Sequence, residues 1–259
     1  MPETGLFSLD GLVSVVIGGG GVLAGAMATG LAKAGANIAI VDVNLENAEA
    51  RAKAITAETG KDAIGVKADA TSKSDLQKTL DTVLQRFGHV DILLNAAGVN
   101  SGTPFFEITE AEWHRILDID LKSVFLACQV FGKAMVDAGK GGSVINISSA
   151  SSGPPLSKVF TYAIAKGGVN QITQFLAREW APYNIRVNAI LPGFFPAEQN
   201  RKLLTDERVA SIMGHTPMKR FGESDELIGA AVYLAAPKAA SFVTGSILRV
   251  DGGYLAMTI

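Results

Sequence analysis

The sequence has 259 residues, of which 48% are hydrophobic, and its formal net charge is −2. This composition is sufficient for a sizeable core, and a nearly neutral chain without a basic cluster is not expected to bind nucleic acid or an anionic membrane. The single cysteine, Cys128, excludes an internal disulfide and is typical of a reducing compartment, so we expect a cytoplasmic protein.

The segment from Leu12 to Ala32 carries no charge and is long enough to cross a bilayer. It contains four consecutive glycines, Gly18–Gly21, and each glycine costs a helix interior about 1 kcal/mol relative to alanine. A strand, a glycine turn and a helix therefore explain the run better than a membrane span. The N-terminus lacks a basic segment followed directly by an apolar run, so we expect no signal peptide.

Apolar runs alternate with helical segments along the whole chain. We predict strands at Leu12–Ile17, Asn37–Val41, Ala63–Ala68, Val90–Leu94, Ser143–Ile147, Ile185–Leu191 and Ser246–Val250. The segments between them predict helices at Val22–Ala34, Asn44–Glu58, Ser72–Gly88, Thr109–Val136, around Tyr162, at Glu198–Met213 and at Ser224–Ala235. Continuous apolar strands alternating with helices indicate a parallel sheet covered on both faces. The prediction is an α/β fold, a single doubly wound (Rossmann-type) domain over residues 1–259 with a seven-stranded parallel sheet flanked by helices.

The glycine turn after the first strand has the setting of a phosphate-binding loop. Glycine lets the backbone approach a pyrophosphate closely, and the helix N-terminus offers free N–H groups and the positive end of its dipole. Asp42 ends the second strand, where a carboxylate binds the adenosine ribose hydroxyls and repels a 2′-phosphate. Asp42 could instead cap the next helix, but Asn44 is better placed for that. The nearest basic residue downstream is Arg51, so we predict NAD rather than NADP as the cofactor.

Two further strand ends are expected to contact this cofactor. Asp69 closes the third strand, and because Thr71 and Ser72 can cap the next helix, Asp69 is left for the adenine. Asn95 and Gly98 follow the fourth strand and are expected to lie against the ribose. Ser72-x-x-Asp75 and Thr109-x-x-Glu112 are typical of capping boxes.

A third cluster, Ser149, Tyr162 and Lys166, suggests proton transfer coupled to oxidation of an alcohol. A tyrosine phenol ordinarily titrates near pH 10, and a neighbouring ammonium favours the phenolate. Residues at i and i+4 share a helix face, so Lys166 can lie beside Tyr162. Ser149 follows a strand and could hydrogen-bond the substrate oxygen. The pair alone could equally be a partly buried aromatic with a solvated neighbour; the upstream nucleotide site favours the catalytic interpretation.

Taken together, these motifs resemble the short-chain dehydrogenase/reductase family over almost the full length. The matching elements are the glycine turn, Asp42, Asp69-Ala70, Asn95-Ala-Ala-Gly98, Ile145-Asn-Ile-Ser-Ser149, Tyr162-x-x-x-Lys166, Pro192-Gly193 and Val250-Asp-Gly-Gly253. The resemblance implies that Tyr162 is the general base in alcohol oxidation and the acid in reduction. It implies that Lys166 favours the ionised phenol and holds the nicotinamide ribose, and that Ser149 positions the substrate oxygen.

The resemblance also implies a set of cofactor-binding residues: Gly18, Gly21, Leu23, Asp42, Asp69, Ala70, Asn95, Gly98, Tyr162, Lys166, Pro192, Gly193 and Phe195. Several positions depart from the family pattern. Its catalytic asparagine falls at Asp120, whose charge is expected to shift the titration of the lysine. Two of its glycines are Val22 and Ala24, its second asparagine is Ala96, and its threonine after Pro-Gly falls at Ala197.

The family's mobile substrate lid would correspond to residues 194–221 here. Phe194 and Phe195 are as consistent with a core role as with substrate contact. Gln199, Asn200, Arg201 and His215 would suit a polyol or sugar acid, although a solvated helix face explains each of them singly. With Asn100 and Ser149, Gln199 and Arg201 are the predicted substrate residues. His89, His114 and His215 share no metal-ligand spacing, so we expect no catalytic metal.

Two functions compete. The first is an NAD-dependent oxidoreductase acting on a secondary alcohol or ketone of a sugar, polyol or sugar acid, and the lid and C-terminus resemble the D-mannonate oxidoreductase-like and sugar dehydrogenase branch. The second is a nucleotide-binding regulatory or scaffold protein with weak or no turnover, suggested by Val22, Ala24, Ala96 and Asp120. The resemblance further implies a homotetramer assembled through the long helices that carry Asp120 and Lys166.

Overall fold

Seven parallel strands form one sheet in the computed structural model, which describes residues 5–154, 156–196 and 204–257. The strands are β1 (Val13–Ile17), β2 (Asn37–Asp42), β3 (Ala63–Lys67), β4 (Ile92–Asn95), β5 (Gly142–Ile147), β6 (Ile185–Pro192) and β7 (Ile247–Val250). Their order across the sheet is β3-β2-β1-β4-β5-β6-β7. The predicted α/β fold is confirmed, and each strand lies within two residues of its predicted bounds at either end.

Strand β1 pairs with β2 on one side and with β4 on the other, with Ile17 aligned to Val41 and to Asn95. The chain order reverses between β1 and β4, so the helices following these strands leave the sheet on opposite faces. In sheets of this type a crevice opens at the carboxyl ends of the strands at that point. The glycine turn and the Asn95–Gly98 segment both begin there.

The helices between the strands divide into two layers. Helices α1 (Val22–Lys33) and α2 (Leu45–Thr59) cover one face, and α3 (Lys73–Phe87) lies on the other. Fully buried Met27, Leu31 and Ile55 pack with Val16 and Ile38 on the first face, whereas Leu76 and Val83 pack with Val15 and Leu93 on the second. The alternating side chains of β1 thus contribute to both cores, as expected for a strand buried on both faces.

The long helix predicted at Thr109–Val136 is interrupted twice. Its α-helical segments are Glu110–Leu117, Ser123–Ala127 and Lys133–Ala138, and π-helical turns at Asp118–Lys122 and Cys128–Gly132 join them. We call the whole element α4. It ends at Gly139, a left-handed C-cap. Turns of π type occur frequently at functional sites, and the first one here contains Asp120.

Three further helices lie in the remaining described part of the chain: α5 (Phe160–Trp180), α6 (Asp206–His215) and α7 (Ile228–Ala235). The predicted helix at Glu198–Met213 falls partly outside the described residues, and α6 begins after its N-cap Thr205. The helix predicted at Ser224–Ala235 begins later, at Ile228. A 3₁₀ turn, Ser224–Leu227, precedes α7, and Glu223 caps that turn through a capping box with Glu226.

Candidate active site

A cavity of about 580 Å³ opens at the carboxyl ends of β1, β2, β3 and β4. Its lining includes Gly18, Gly21, Asp42, Asp69, Ala70 and Gly98, six of the residues predicted to bind the cofactor. Arg115, Asp118 and Ser123 of α4 form another part of its wall. The volume is in the range of small-molecule and cofactor sites.

The glycine turn has a geometry that only glycine allows at its first position. Gly18 has a φ of +75°, and a Cβ there would lie 2.8 Å from the Ala97 N atom. The close contact brings the turn against the segment that follows β4. Gly21 is the N-cap of α1 and makes no side-chain cap, so the first N–H groups of this helix are available to a phosphate. These features fit a dinucleotide.

Asp42 is held in place by two backbone donors. The Gly20 N–H donates to its Oδ2 at 3.1 Å, and the Asn44 N–H donates to its Oδ1 at 3.0 Å. Asn44 itself caps α2 by accepting from the Asn47 N–H, as predicted. The Asp42 carboxylate therefore accepts a hydrogen bond from the glycine turn and lines the cavity, and it does not cap α2.

Asp69 also lines the cavity, but it is not as free as the sequence suggested. Its Oδ1 accepts hydrogen bonds from both the N–H and the hydroxyl of Thr71, at 2.8 and 2.7 Å. Ser72 caps α3 through the Asp75 N–H, as predicted, but the Asp75 carboxylate accepts from the Asp69 N–H instead of closing the box. The contact of Asp69 with adenine stays a prediction, and one oxygen of this carboxylate is already engaged by Thr71.

Asn95 and Leu23, both predicted to bind the cofactor, make contacts within the core instead of lining the cavity. The buried Asn95 side chain donates to Asn146 Oδ1 at 2.9 Å, and Asn146 donates to Thr173 of α5. The amide thus ties β4 to β5 and α5, so this side chain is engaged within the core, and the contact of Asn95 with the ribose stays a prediction. Leu23 packs against the buried cluster between α1 and the sheet, so its side chain contributes to the core.

Lys166 and Asp120 form a buried ion pair at the centre of the site. The Lys166 Nζ lies 3.4 Å from Asp120 Oδ1, and their side chains are 4% and 0% exposed. Lys166 Nζ also donates to the Ile147 carbonyl at 3.0 Å, while the Val99 N–H donates to Asp120 Oδ2 at the same distance. A Cβ on Gly98 would lie 2.7 Å from Asp120 Oδ1, so glycine is required for this approach. The pair joins α4, α5 and the ends of β4 and β5.

Burial raises the pKa of the Asp120 carboxyl above its ordinary value. The Lys166 ammonium and the Val99 N–H act in the opposite direction. Among the described residues, Oδ1 accepts no hydrogen bond, although the ammonium is nearby. The charge of this buried oxygen is therefore compensated by the neighbouring Lys166 ammonium, not by a hydrogen bond.

Tyr162 lies in the first turn of α5, half-buried, and the Lys166 Nζ is 5.5 Å from the centre of its ring. Ser149 follows β5 and starts a 3₁₀ turn, Ala150–Ser152; its Oγ accepts from the N–H and the hydroxyl of Ser151. The Ser152 hydroxyl donates to the Ser149 carbonyl and accepts from Asn170 of α5. Both the Ser149 segment and Lys166 are therefore tied to the end of β5.

The remaining predicted residues lie around this centre or outside the described ranges. Pro192 ends β6 and pairs with Val250, and the Gly193 N–H donates to the Val250 carbonyl. The Phe195 ring packs against Gly222 and the adjoining core, so it is partly a core residue. Asn100 is exposed, with its Oδ1 accepting from the Ser101 N–H. Gln199, Arg201, Asn200 and Ala197 lie outside the described residues.

Sequence reasoning missed two arginines. Arg115 lines the cavity at the strand ends from the first α-helical segment of α4. Arg208 of α6 donates to the Ser157 hydroxyl at 2.7 Å, across a contact between segments that are distant in sequence. Neither residue belongs to a local motif, so no pattern indicated it.

Neither a membrane span nor a metal centre is found in the described part of the chain. Within those ranges, no helix has the length and apolar character needed to cross a bilayer. Within the same ranges, no three His, Cys, Asp or Glu side chains are grouped so that they could hold a metal ion.

Comparison with known proteins identifies the class. A family model described as enoyl-(acyl carrier protein) reductase matches residues 21–255. The 2-dehydro-3-deoxy-D-gluconate 5-dehydrogenase of Escherichia coli strain K12 is 37% identical, with 96% of this chain and 98% of that protein covered. The D-threitol dehydrogenase of Mycolicibacterium smegmatis is also 37% identical, with 96% and 94% covered. This chain belongs to the short-chain dehydrogenase/reductase family.

Two solved structures show the same fold. A gluconate 5-dehydrogenase from Burkholderia cenocepacia, in complex with NADP and tartrate, has a TM-score of 0.92 and 34% identity, with 97% of this chain and 98% of that chain covered. A protein described as a candidate D-mannonate oxidoreductase from Haemophilus influenzae, with bound NAD, has the same TM-score and identity, with 97% of each chain covered. Proteins similar to this chain thus bind either nicotinamide cofactor and act on sugar acids or polyols.

Proposed function

We propose that this protein is an NAD-dependent oxidoreductase that interconverts a secondary alcohol and a ketone of a sugar, polyol or sugar acid, with Tyr162 as the general acid/base. The observation that carries the proposal is the buried Lys166, fixed by Ile147 and Asp120 and lying 5.5 Å from the Tyr162 ring. A protein that only binds a nucleotide has no need for a buried ammonium beside a tyrosine.

A nicotinamide cofactor bound in the nucleotide cavity would supply the hydride acceptor for oxidation and the hydride donor for reduction. The residues of this chain transfer the proton and orient the substrate. In oxidation, the Tyr162 oxygen takes the proton of the substrate hydroxyl, and in reduction it returns a proton to the forming alkoxide. Lys166 stabilises negative charge on the Tyr162 oxygen. Ser149 donates a hydrogen bond to the substrate oxygen.

Asp42 supports the preference for NAD. Its carboxylate lines the cavity while accepting two backbone hydrogen bonds, and a fixed negative charge at the ribose disfavours a 2′-phosphate. Relatives include proteins with bound NADP, so the preference rests on this carboxylate. We further propose that the protein acts in the cytoplasm; its cysteine is a buried free thiol.

The regulatory or scaffold function remains the competing candidate, favoured by Asp120 at the position of the family's asparagine. The experiment that separates the two follows absorbance at 340 nm while the protein is supplied with NAD or NADP and a panel of sugar acids, aldoses and polyols. Turnover of one class supports the enzyme. Tight nucleotide binding without turnover across the panel would favour the scaffold.

Tyr162→Phe tests the mechanism directly. The variant should keep its affinity for the nucleotide and lose roughly 10²–10⁴-fold in kcat, because it lacks the group that moves the proton. Tyr183→Phe, which removes a half-exposed phenol in the turn after α5, should retain full activity. Unchanged turnover by Tyr162→Phe would refute the proposed role.

A further inference from the structure

A second, more polar cavity lies beside the catalytic elements. It has a volume of about 350 Å³ and separates α6 from the loop that leads from β5 to α5. Its lining includes Ser157, Phe194, Arg208, Ser211, His215 and Tyr254. Ser157 lies in the segment between Ser149 and Tyr162, and Phe194 follows the end of β6. The cavity therefore borders the same loop as the proposed catalytic residues.

Among the described residues of this lining, Arg208 alone is an arginine or a lysine. It lies in the first turn of α6, half-buried, and its Nη1 donates to the Ser157 hydroxyl at 2.7 Å. Among the described residues, no carboxylate forms an ion pair with it. Arginine remains charged at all physiological pH values. A half-buried cation without an acidic partner favours an anionic ligand.

The guanidinium geometry narrows the kind of anion. Arginine carries five N–H donors in a planar fork, and two of them on one edge match the two oxygens of a carboxylate. The bond to Ser157 fixes one side of the fork and uses one donor. The remaining donors can bind a carboxylate while Ser157 keeps the group oriented.

The other walls suit a polyhydroxylated carbon chain. Ser211 offers a hydroxyl and His215 an imidazole, both exposed. The Tyr254 ring lies 5.1 Å from that of Phe194 and 4.7 Å from that of His215, forming an aromatic wall for C–H groups. Burial raises the pKa of the Tyr254 phenol, which therefore stays protonated and can donate to a ligand hydroxyl.

We propose that this cavity is a carboxylate subsite, in which Arg208 binds the carboxylate of an open-chain sugar acid while one of its hydroxyls reaches Tyr162. The inference rests on the proposed oxidoreductase function and narrows its substrate to sugar acids over neutral polyols. Arg208 is then a specificity-determining residue, and Ser157 positions its guanidinium.

The test compares D-gluconate with D-glucitol, which differ in a terminal carboxylate against a hydroxymethyl group. In Arg208→Gln, kcat/KM for the acid should fall at least about 30-fold, mostly through KM, since a charge-assisted bidentate contact is lost. The value for the polyol should stay within about 2-fold of the wild type. Arg208→Lys keeps the charge without the fork and should recover part of the loss. Arg178→Gln removes an exposed positive charge from α5 and should change neither value.

Binding measured without turnover keeps this inference separate from the proposed function. Titration calorimetry with D-gluconate should show binding to the wild type that is at least about 30-fold weaker in Arg208→Gln. If the wild type turns over no member of the panel of sugar acids, aldoses and polyols yet this difference is seen, the oxidoreductase proposal fails and the subsite stands. The subsite proposal would be overturned if Arg208→Gln lost kcat/KM equally for the acid and the polyol, or changed neither value. Equal affinity of the wild type and Arg208→Gln for D-gluconate would also overturn it.

Discussion

Asp120 places a carboxylate within 3.4 Å of Lys166 in a site almost closed to solvent. Removing one member of a buried ion pair generally costs about 3–5 kcal/mol, because the other charge is left without a partner. The π-helical turn and the Val99 N–H hold this carboxylate in place, and the absence of a side chain at Gly98 leaves room for it. The substitution of an acid for the family's amide is therefore accommodated by the surrounding structure.

The stability of the protein should depend on pH through Asp120. Because burial raises the pKa of this carboxyl, the folded protein keeps its proton to higher pH than the unfolded chain does. Its contribution to stability is complete below about pH 4 and is lost as the pH rises through the folded-state pKa. Asp120→Asn cannot lose a proton, so the unfolding free energy of this variant relative to the wild type should increase over the pH range in which the folded-state Asp120 carboxyl titrates.

Urea unfolding at several pH values measures this difference. Asp118→Asn is the matched control, because Asp118 belongs to the same π-helical turn but its side chain is 47% exposed and pairs with Lys122. Its difference from the wild type should stay nearly constant over the same range. A constant difference for Asp120→Asn as well would show that the carboxyl titrates as in the unfolded chain.

Asp42 should determine the choice of nucleotide. Asp42→Ser removes the negative charge at the ribose, so the ratio of NAD to NADP affinity should fall by roughly 10- to 100-fold. Fluorescence titration with each nucleotide gives this ratio. Glu46→Gln removes an exposed carboxylate from the first turn of α2 and should leave the ratio unchanged. If Asp42→Ser behaved like this control, another residue would govern the selectivity.

At the level of elements, two structural constraints act on Gly18 in the turn between β1 and α1. Gly18 adopts a left-handed φ of +75° and also touches the Ala97 backbone. Gly60, the C-cap of α2, has a φ of +70° but no atom within 4 Å of its Cβ position. A substitution at Gly60 therefore tests the strain of a left-handed backbone alone, whereas a substitution at Gly18 tests this strain together with a steric contact.

Alanine at these positions should have different effects. Gly60→Ala should cost about 1–2 kcal/mol in unfolding free energy, from the left-handed backbone alone. Gly18→Ala should cost more and should weaken nucleotide binding at least about 10-fold, because the new methyl group displaces the turn from β4. Thermal unfolding and nucleotide titration check both. Equal effects on stability and no effect on binding would contradict the close contact.

Local patterns were sufficient to predict all seven strands and the Asn44, Ser72 and Thr109 caps, because these depend on neighbouring residues. Contacts across the fold were not predictable. Glu112 accepts a hydrogen bond from Thr103 instead of completing a capping box, and Asn95 bonds Asn146, 51 residues away. The Arg208–Ser157 bond spans the same separation. No periodicity encodes such pairs, because sheet order and helix packing create them.

On the scale of the whole molecule, helices α4 and α5 present large aromatic side chains to solvent. Phe125 of α4 is 47% exposed and Phe175 of α5 is 66% exposed. Exposed apolar side chains on neighbouring helices are typical of an interface between subunits, and the family resemblance implies a homotetramer. These helices also carry Asp120 and Lys166, so assembly would support the site.

Phe175→Glu should therefore decrease the number of subunits in the oligomer. A charge in an apolar interface is costly to bury, and the mass measured by light scattering after size exclusion should fall by a factor of about two or more. Leu84→Glu, at a partly exposed position on α3, should leave the mass unchanged. A wild-type protein that already elutes as a monomer would remove the basis for this expectation.

The two π-helical turns of α4 also set the rotational phase of that helix. Each one holds an additional residue, which rotates the segments on either side by about 100° relative to an uninterrupted α-helix. Arg115 and Asp118 line the cavity at the strand ends, while Asp120, in the first of these turns, pairs with Lys166. Deleting one residue from Asp118–Lys122 would rotate Arg115 relative to the segments that follow, and so would change the wall of the cavity relative to the Lys166–Asp120 pair. The number of residues in this helix, and not only their identity, thus sets the arrangement of the cavity wall and this ion pair.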